Sequence, residues 1–297
     1  MDKNAPGTSL GGGFDVENEY WYHGWRNFIS GQGWTMALRR IDFNGRNLVT
    51  LQSWGPPDHG MLQFGADPTS DVAVYATQKT ITVPSTGNEQ KIQKTALDGS
   101  GLTTLHTYTR PSGLAGFPQV VCNLICPVGQ NVAITGIRYA TTVWNDYISI
   151  IDLTSGSETQ IANDTGTIAE NPNYNSVAYY NGQVYYVRFK VVGGVGTSTF
   201  GRINLDGTGK ETLFTVGAAG SSISGHSVSI DTFRRQMFYI LGGTDADGAG
   251  LYQRDLDTGS SEKVVLGSLL GPIGLGLASW HEVYQHWRST RDLVWSS

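Results

Sequence analysis

The sequence predicts an all-β fold, a six-bladed β-propeller with four-stranded antiparallel blades. Three observations carry that expectation: a repeated strand–turn–strand unit, turn glycines a little over fifty residues apart, and two further strand patterns ahead of each turn. The unit recurs as IDFNGRNLVTL (41–51), ALDGSGLTTL (96–105), IDLTSGSETQI (151–161), INLDGTGKETLF (203–214) and RDLDTGSSEKVV (254–265). Its turn glycines are Gly45, Gly99, Gly156, Gly207 and Gly259, in Asn-Gly, Asp-Gly, Ser-Gly and Thr-Gly settings that accept the positive φ of short hairpins. Strand pairs such as NSVAYYNGQVYYVRFK (175–190) and HSVSIDTFRRQMFYIL (226–241) precede the unit and complete four strands per repeat.

The blades are expected at approximately 10–52, 60–108, 118–162, 172–216, 225–267 and 273–297 plus 1–9, in one domain over 1–297. A glycine turn after Gly259 would fall beyond Ser297, so the segment before Phe14 is expected to supply the last strand of the sixth blade. That N-terminal strand would close the ring and remove exposed sheet edges.

Composition agrees with many turns and short strands: 39 glycines and 15% charged residues, against roughly 25% in an average domain. The net charge of −5 and the lack of a basic cluster exclude a phosphate-tracking surface, so no nucleic-acid partner is expected. No apolar run reaches the roughly 18 residues of a membrane span. Residues 1–12 lack the apolar core of a signal peptide, although a leader removed ahead of Met1 is compatible with a secretory protein. The sequon Asn163-Asp164-Thr165 would accept a glycan there. Cys122 and Cys126 read as two buried small apolar residues, with a local disulfide as the alternative if the chain bends near Pro127.

Within each blade, strands A to D run outward from the axis. The A–B and C–D turns share one face and are short; the B–C and D–A connections share the other and are expected to be long. Long irregular segments on one face of a rigid scaffold are where a site belongs. These segments carry the substrate-binding candidates Trp25, Phe28, Trp54, Phe117, Tyr139, Trp144, Tyr174, Phe189 and Arg288. An apolar mouth with a few polar groups suits a small organic molecule, the expected partner. His59, Arg110, Lys190 and His226 are the candidate catalytic donors. Each aromatic has the competing reading of filling the wedge between blades.

No Gly-x-Ser-x-Gly elbow or His-Glu-x-x-His pair occurs, and GGVGTS (193–198) lacks the lysine of a phosphate loop. Asp58, Glu170, Asn171, Asn175 and Asp245 are the oxygen-bearing residues a hard cation would want, but their scatter makes no signature, and they read as turn residues. No metal site and no cofactor are expected.

The pattern GRINLDGTGKETL (201–213), with VYYV (184–187) upstream and YWYH (20–23) in the first blade, resembles the YWTD-type six-bladed propellers of the low-density-lipoprotein receptor group. Where that signature ends in Asp, this chain has His23 in the first blade and Arg188 in the fourth. In size and general make-up the chain is also similar to six-bladed propeller proteins that catalyse hetero-Diels–Alder cyclisation in fungal tropolone–sesquiterpenoid biosynthesis. That resemblance implies a cofactor-independent enzyme that holds diene and dienophile together, with Trp25, Tyr139, Trp144 and Phe189 as the shaping wall. The receptor resemblance implies instead a non-catalytic ligand-, carbohydrate- or protein-binding propeller. A metal-dependent lactonase-like hydrolase is the third reading.

Overall fold

The computed structural model describes residues 8–15, 18–29, 33–54, 60–81, 87–109, 120–140, 143–167, 169–217, 224–232, 234–242 and 248–266. They form twenty strands in five four-stranded antiparallel sheets, each a simple meander. The first sheet holds β1 (Thr8–Asp15), β2 (Tyr20–Ile29), β3 (Gly33–Asp42) and β4 (Val49–Trp54); the second β5 (Gly60–Asp67), β6 (Val72–Ile81), β7 (Gly87–Thr95) and β8 (Thr103–Thr109). The third holds β9 (Val120–Val128), β10 (Val132–Ala140), β11 (Trp144–Asp152) and β12 (Glu158–Gly166). The fourth holds β13 (Asn173–Tyr180), β14 (Gln183–Val192), β15 (Val195–Asn204) and β16 (Glu211–Val216); the fifth β17 (Ser224–Asp231), β18 (Gln236–Gly242), β19 (Gly250–Asp255) and β20 (Ser261–Leu266). First strands of successive sheets pack side by side, β1 on β5, β5 on β9, β9 on β13 and β13 on β17. The sheets are therefore blades of a β-propeller, with the first strands innermost.

Both faces of a blade are buried, which is why its second strand lacks simple alternation. On β14, Tyr185 and Val187 join Phe200, Val228 and Tyr239 in the core shared with the fifth blade. The intervening Val184 and Tyr186 join Ile134, Ile148 and Tyr174 in the core shared with the third. The same division holds on β6, where Ala73 and Tyr75 face the first blade and Val72, Val74 and Ala76 the third.

Each blade carries two β-bulges at repeated places. On the outermost strand the extra residues are Leu51, Leu105, Ile161, Leu213 and Val264, an aliphatic at or next to the end of each repeat unit. All five pack into the cores. The next blade's glycine turn lands on this bulge: a Cβ at Gly156 would lie 2.0 Å from the Leu105 carbonyl oxygen, and one at Gly99 3.3 Å from that of Leu51. Gly156, at φ +74°, thus meets two demands, a left-handed backbone and a close approach to the neighbouring blade.

On the innermost strand the extra residues are Gly11, Leu62, Asn123, Asn175 and His226. A bulge leaves a backbone N–H outside the ladder, and three of these are met by a buried side chain from the third strand of the preceding blade. The Cys122, Tyr174 and Gly225 N–H groups donate to Gln90 Oε1 (2.7 Å), Asp146 Oδ2 (2.9 Å) and Ser198 Oγ (2.8 Å). These buried polar residues are clamps between blades.

Two expectations change. In the first, third and fourth blades the B–C connections are only two or three residues long, because the second and third strands run on to meet in hairpins: β14 and β15 pair to Val192↔Val195 around Gly193 and Gly194, at φ +59° and +82°. GGVGTS is thus the two-residue turn of a hairpin followed by the first four residues of β15. Second, Thr8 and Ser9 pair with Arg26 and Trp25, so the chain from Thr8 onward is the innermost strand of the first blade and is not available to close the ring. Both cysteines are free thiols on β9, Cys122 buried and Cys126 half-buried, in agreement with their reading as small apolar residues and not with the alternative of a local disulfide; the Asn123 bulge lies between them. The expected sixth blade, 273–297 with Arg288, lies outside the described residues.

Candidate functional site

The inner strands begin at the face that carries the B–C hairpins and the D–A connections, and their bulges fall three or four residues in. The bulge residues therefore ring this end of the axis. The outer-strand bulges are all aliphatic, Leu, Ile or Val; the inner-strand ones are glycine, leucine, asparagine, asparagine and histidine. The second-strand residues opposite the position two before each inner bulge are equally mixed: Trp25, Gln78, Arg138, Phe189 and Gly242. Scaffold positions repeat, and mouth positions do not.

Asn175 is the best defined of these residues. Its Nδ2 donates to the Gly225 carbonyl (3.1 Å), next to the His226 bulge of the following blade, and its Oδ1 accepts from Asn173 Nδ2. One amide hydrogen and one carbonyl lone pair remain after these bonds. The amide is thus held in one orientation with hydrogen-bonding capacity to spare.

The structure brings Trp25 and Phe189 to the same register in the first and fourth blades, opposite Ser9 and Asn173. The Arg39 guanidinium lies 3.9 Å from the Trp25 ring centroid, and the Phe189 ring lies against Gly196, where a Cβ would sit 2.9 Å from it. Trp144 opens β11, half-buried, opposite Ala140 and Gly166. Tyr139 and Phe28 sit near the ends of β10 and β2, Trp54 ends β4, and His226 is the β17 bulge. Tyr174 is fully buried, edge-on to Tyr186 at 5.5 Å, and burial pushes its phenol well above the usual range. His59, Arg110, Phe117, Arg288, Asp58 and Asp245 lie outside the described residues.

Lys190 is engaged between blades. Its Nζ donates to the Thr165 carbonyl (2.9 Å) and lies 3.7 Å from Asp164 and 4.0 Å from Glu170, while Asp164 also pairs with Arg188. Glu170 caps its own connection, accepting from the Thr167 N–H at 2.7 Å, which holds its carboxyl below the usual range. Asn171 ends the same turn at φ +44°. Among the described residues, no three His, Cys, Asp or Glu side chains gather as metal ligands.

Sequence reasoning passed over Asn123, Gln78, Arg138 and the clamp residues. The signal was spacing: the inner bulges precede their turn glycines by 32 to 37 residues in every repeat.

No family model matches the chain, and no curated protein matches it in sequence. Solved structures do match. A nidogen/laminin complex is 12% identical with a TM-score of 0.54, over 86% of this chain and 79% of that one. An oligogalacturonate lyase in complex with manganese is 11% identical with a TM-score of 0.54, over 89% and 66%. TolB from Acinetobacter baumannii is 14% identical with a TM-score of 0.51, over 84% and 53%. The chain spans just under two thirds of the lyase chain and about half of the TolB chain. At such identities the likeness is one of fold, a β-propeller, and it agrees at that level with the YWTD-type resemblance. None of it bears specifically on Diels–Alder chemistry.

Proposed function

We propose that this propeller binds one small organic molecule at the end of its axis where the inner strands begin. The observation that carries the reading is the contrast between bulges: aliphatic in all five outer strands, but glycine, leucine, asparagine twice and histidine in the five inner ones. A lectin-like propeller with one sugar per blade would repeat its mouth residues. A single asymmetric ligand would not. Trp25 and Phe189 supply apolar surface, and His226 is the donor best placed by register. The reaction that the chain's make-up suggests is a cofactor-free cycloaddition, in which two bonds form and no group leaves; holding the reactants in a near-attack pose supplies the acceleration. Residues 273–297 with 1–7 would complete a sixth blade between the fifth and the first. Phe238, Ile240 and Leu251 on the fifth blade's far face support this, because they belong to none of the four cores between described blades.

Native mass measurement against a panel of quinone-methide and polyene substrates tests the reading. One bound molecule per chain and products of altered stereochemistry are expected. Product ratios equal to a protein-free control would reject cyclisation, and several equivalents per chain would reject the single site.

A further inference from the structure

Four Asx-Gly pairs have both residues described: Asn44-Gly45, Asp98-Gly99, Asp206-Gly207 and Asn181-Gly182. In such a pair the bare glycine lets its own main-chain nitrogen reach the preceding side-chain carbonyl carbon, so the pair ages unless the fold restrains it. The first three pairs sit in C–D turns and are restrained twice. Each side chain accepts from the N–H two residues on: Asn44 from Arg46 (2.9 Å), Asp98 from Ser100 (2.7 Å) and Asp206 from Thr208 (2.9 Å). Each glycine N–H closes its turn on the carbonyl three residues back: Gly45 on Asp42 (2.8 Å), Gly99 on Ala96 (2.9 Å) and Gly207 on Asn204 (2.9 Å). Asp98 and Asp206 are also carboxylates, which are poor electrophiles, and hydrogen bonds from Ser100 and Thr208 hold them below the usual carboxyl range.

Asn181 lacks both restraints. With Gly182 it forms the two-residue A–B turn of the fourth blade, at φ +48° and +78°, between the paired Tyr180 and Gln183. Its exposed side chain has no hydrogen-bond partner among the described residues, and the Gly182 N–H reaches only the Tyr179 hydroxyl, at 3.3 Å. A Cβ at Gly182 would meet nothing within 4 Å, so the turn has room to change shape.

The geometry points to Asn181 as the residue at which this protein ages, by loss of ammonia to a succinimide and hydrolysis to aspartate or isoaspartate. The bond that forms joins the Gly182 nitrogen to Asn181 Cγ. The bond that breaks is Cγ–Nδ2, and ammonia leaves with the proton of the glycine nitrogen. Water then opens the ring at either carbonyl. The isoaspartyl product carries the main chain through the side-chain carbon and lengthens a tight two-residue turn. That displaces the Gly182 carbonyl, which accepts from the Leu205 N–H (3.2 Å) and ties the A–B turn to the C–D turn of the same blade. The change lies on the face opposite the mouth, so it loosens the fourth blade and leaves the site proposed above untouched.

The test incubates the full chain in warm, mildly alkaline buffer, native and in urea, and follows both Asn-Gly peptides by mass spectrometry. Each hydrogen bond that must break before the attack slows it by about threefold to tenfold. In the native protein Asn181 should therefore convert at least about tenfold faster than Asn44, whereas in urea the two should convert at similar rates. Fully converted protein should melt about 2–4 °C below fresh protein, and Asn181→Gly, which suits a positive φ, should melt alike before and after incubation. Equal native rates at the two asparagines, or no conversion of Asn181 while the unfolded chain converts, overturns the assignment. An unchanged melting temperature after full conversion overturns the loosening of the blade.

Discussion

Alanine in place of Gly156 probes how the blades are joined. Gly156 and Gly182 have nearly the same backbone, at φ +74° and +78°, so the left-handed conformation costs each alanine variant the same, about 1–2 kcal/mol. Their surroundings differ. A Cβ at Gly182 meets nothing within 4 Å, whereas one at Gly156 would lie 2.0 Å from the Leu105 carbonyl oxygen and 2.9 Å from its carbon. Both atoms are backbone, so no side chain can rotate away, and the third blade's turn must lift off the second blade's outer strand. Forcing extra volume into a packed contact costs about 1–3 kcal/mol more. Gly182→Ala should therefore lose about 1–2 kcal/mol and Gly156→Ala about 2–5 kcal/mol in urea unfolding. Equal losses would refute the claim that the turn glycines dock on the preceding blade.

Other outcomes follow from the clamps, the core and the titrating groups. Ser198→Ala strands the buried Gly225 N–H and should cost about 1–3 kcal/mol, with faster amide exchange at Gly225; unchanged protection there would contradict the clamp. Leu105→Ala empties an outer bulge and should cost about 2–5 kcal/mol by chemical denaturation, and a neutral result would mean that the bulge does not anchor the core. Burial lowers the pKa of His23 from 6.5 to about 4, so the unfolded chain takes up a proton that the folded one refuses. Stability should fall by up to about 3 kcal/mol as pH drops from 6.5 to 4, and His23→Gln should flatten that window. The depressed carboxyls of Asp98, Asp152, Asp206 and Asp255 act at lower pH, so they leave the His23 window readable. Burial pushes the Cys122 thiol up to about 12, so a thiol reagent should report two free thiols in denaturant, with Cys122 silent in the native protein.

The five glycine turns and the four-strand repeat were legible because turn chemistry and strand period are local. Strand ends were not. Val191-Val192-Gly193-Gly194-Val195 reads equally as glycine loop or two-residue hairpin, and only the pairing of Val192 with Val195 decides it. The bulges escaped notice because one extra residue alters register without altering composition. The clamps escaped for a different reason: Gln90, Asp146 and Ser198 share a place and a role but no chemistry beyond an accepting oxygen. At the mouth, Asn175 was seen as a candidate cation ligand, while its bond to Gly225 links residues fifty positions apart that no local pattern connects. Lys190 was read as a donor in a loop, and its partners Asp164 and Glu170 come from the neighbouring blade and from the connection between them.

A crystal structure of the full chain soaked with a quinone-methide or polyene substrate tests the single asymmetric site most directly. One molecule at the start of the inner strands is the expected result. Equivalent molecules repeated from blade to blade, or one seated at the glycine-turn face, would contradict it.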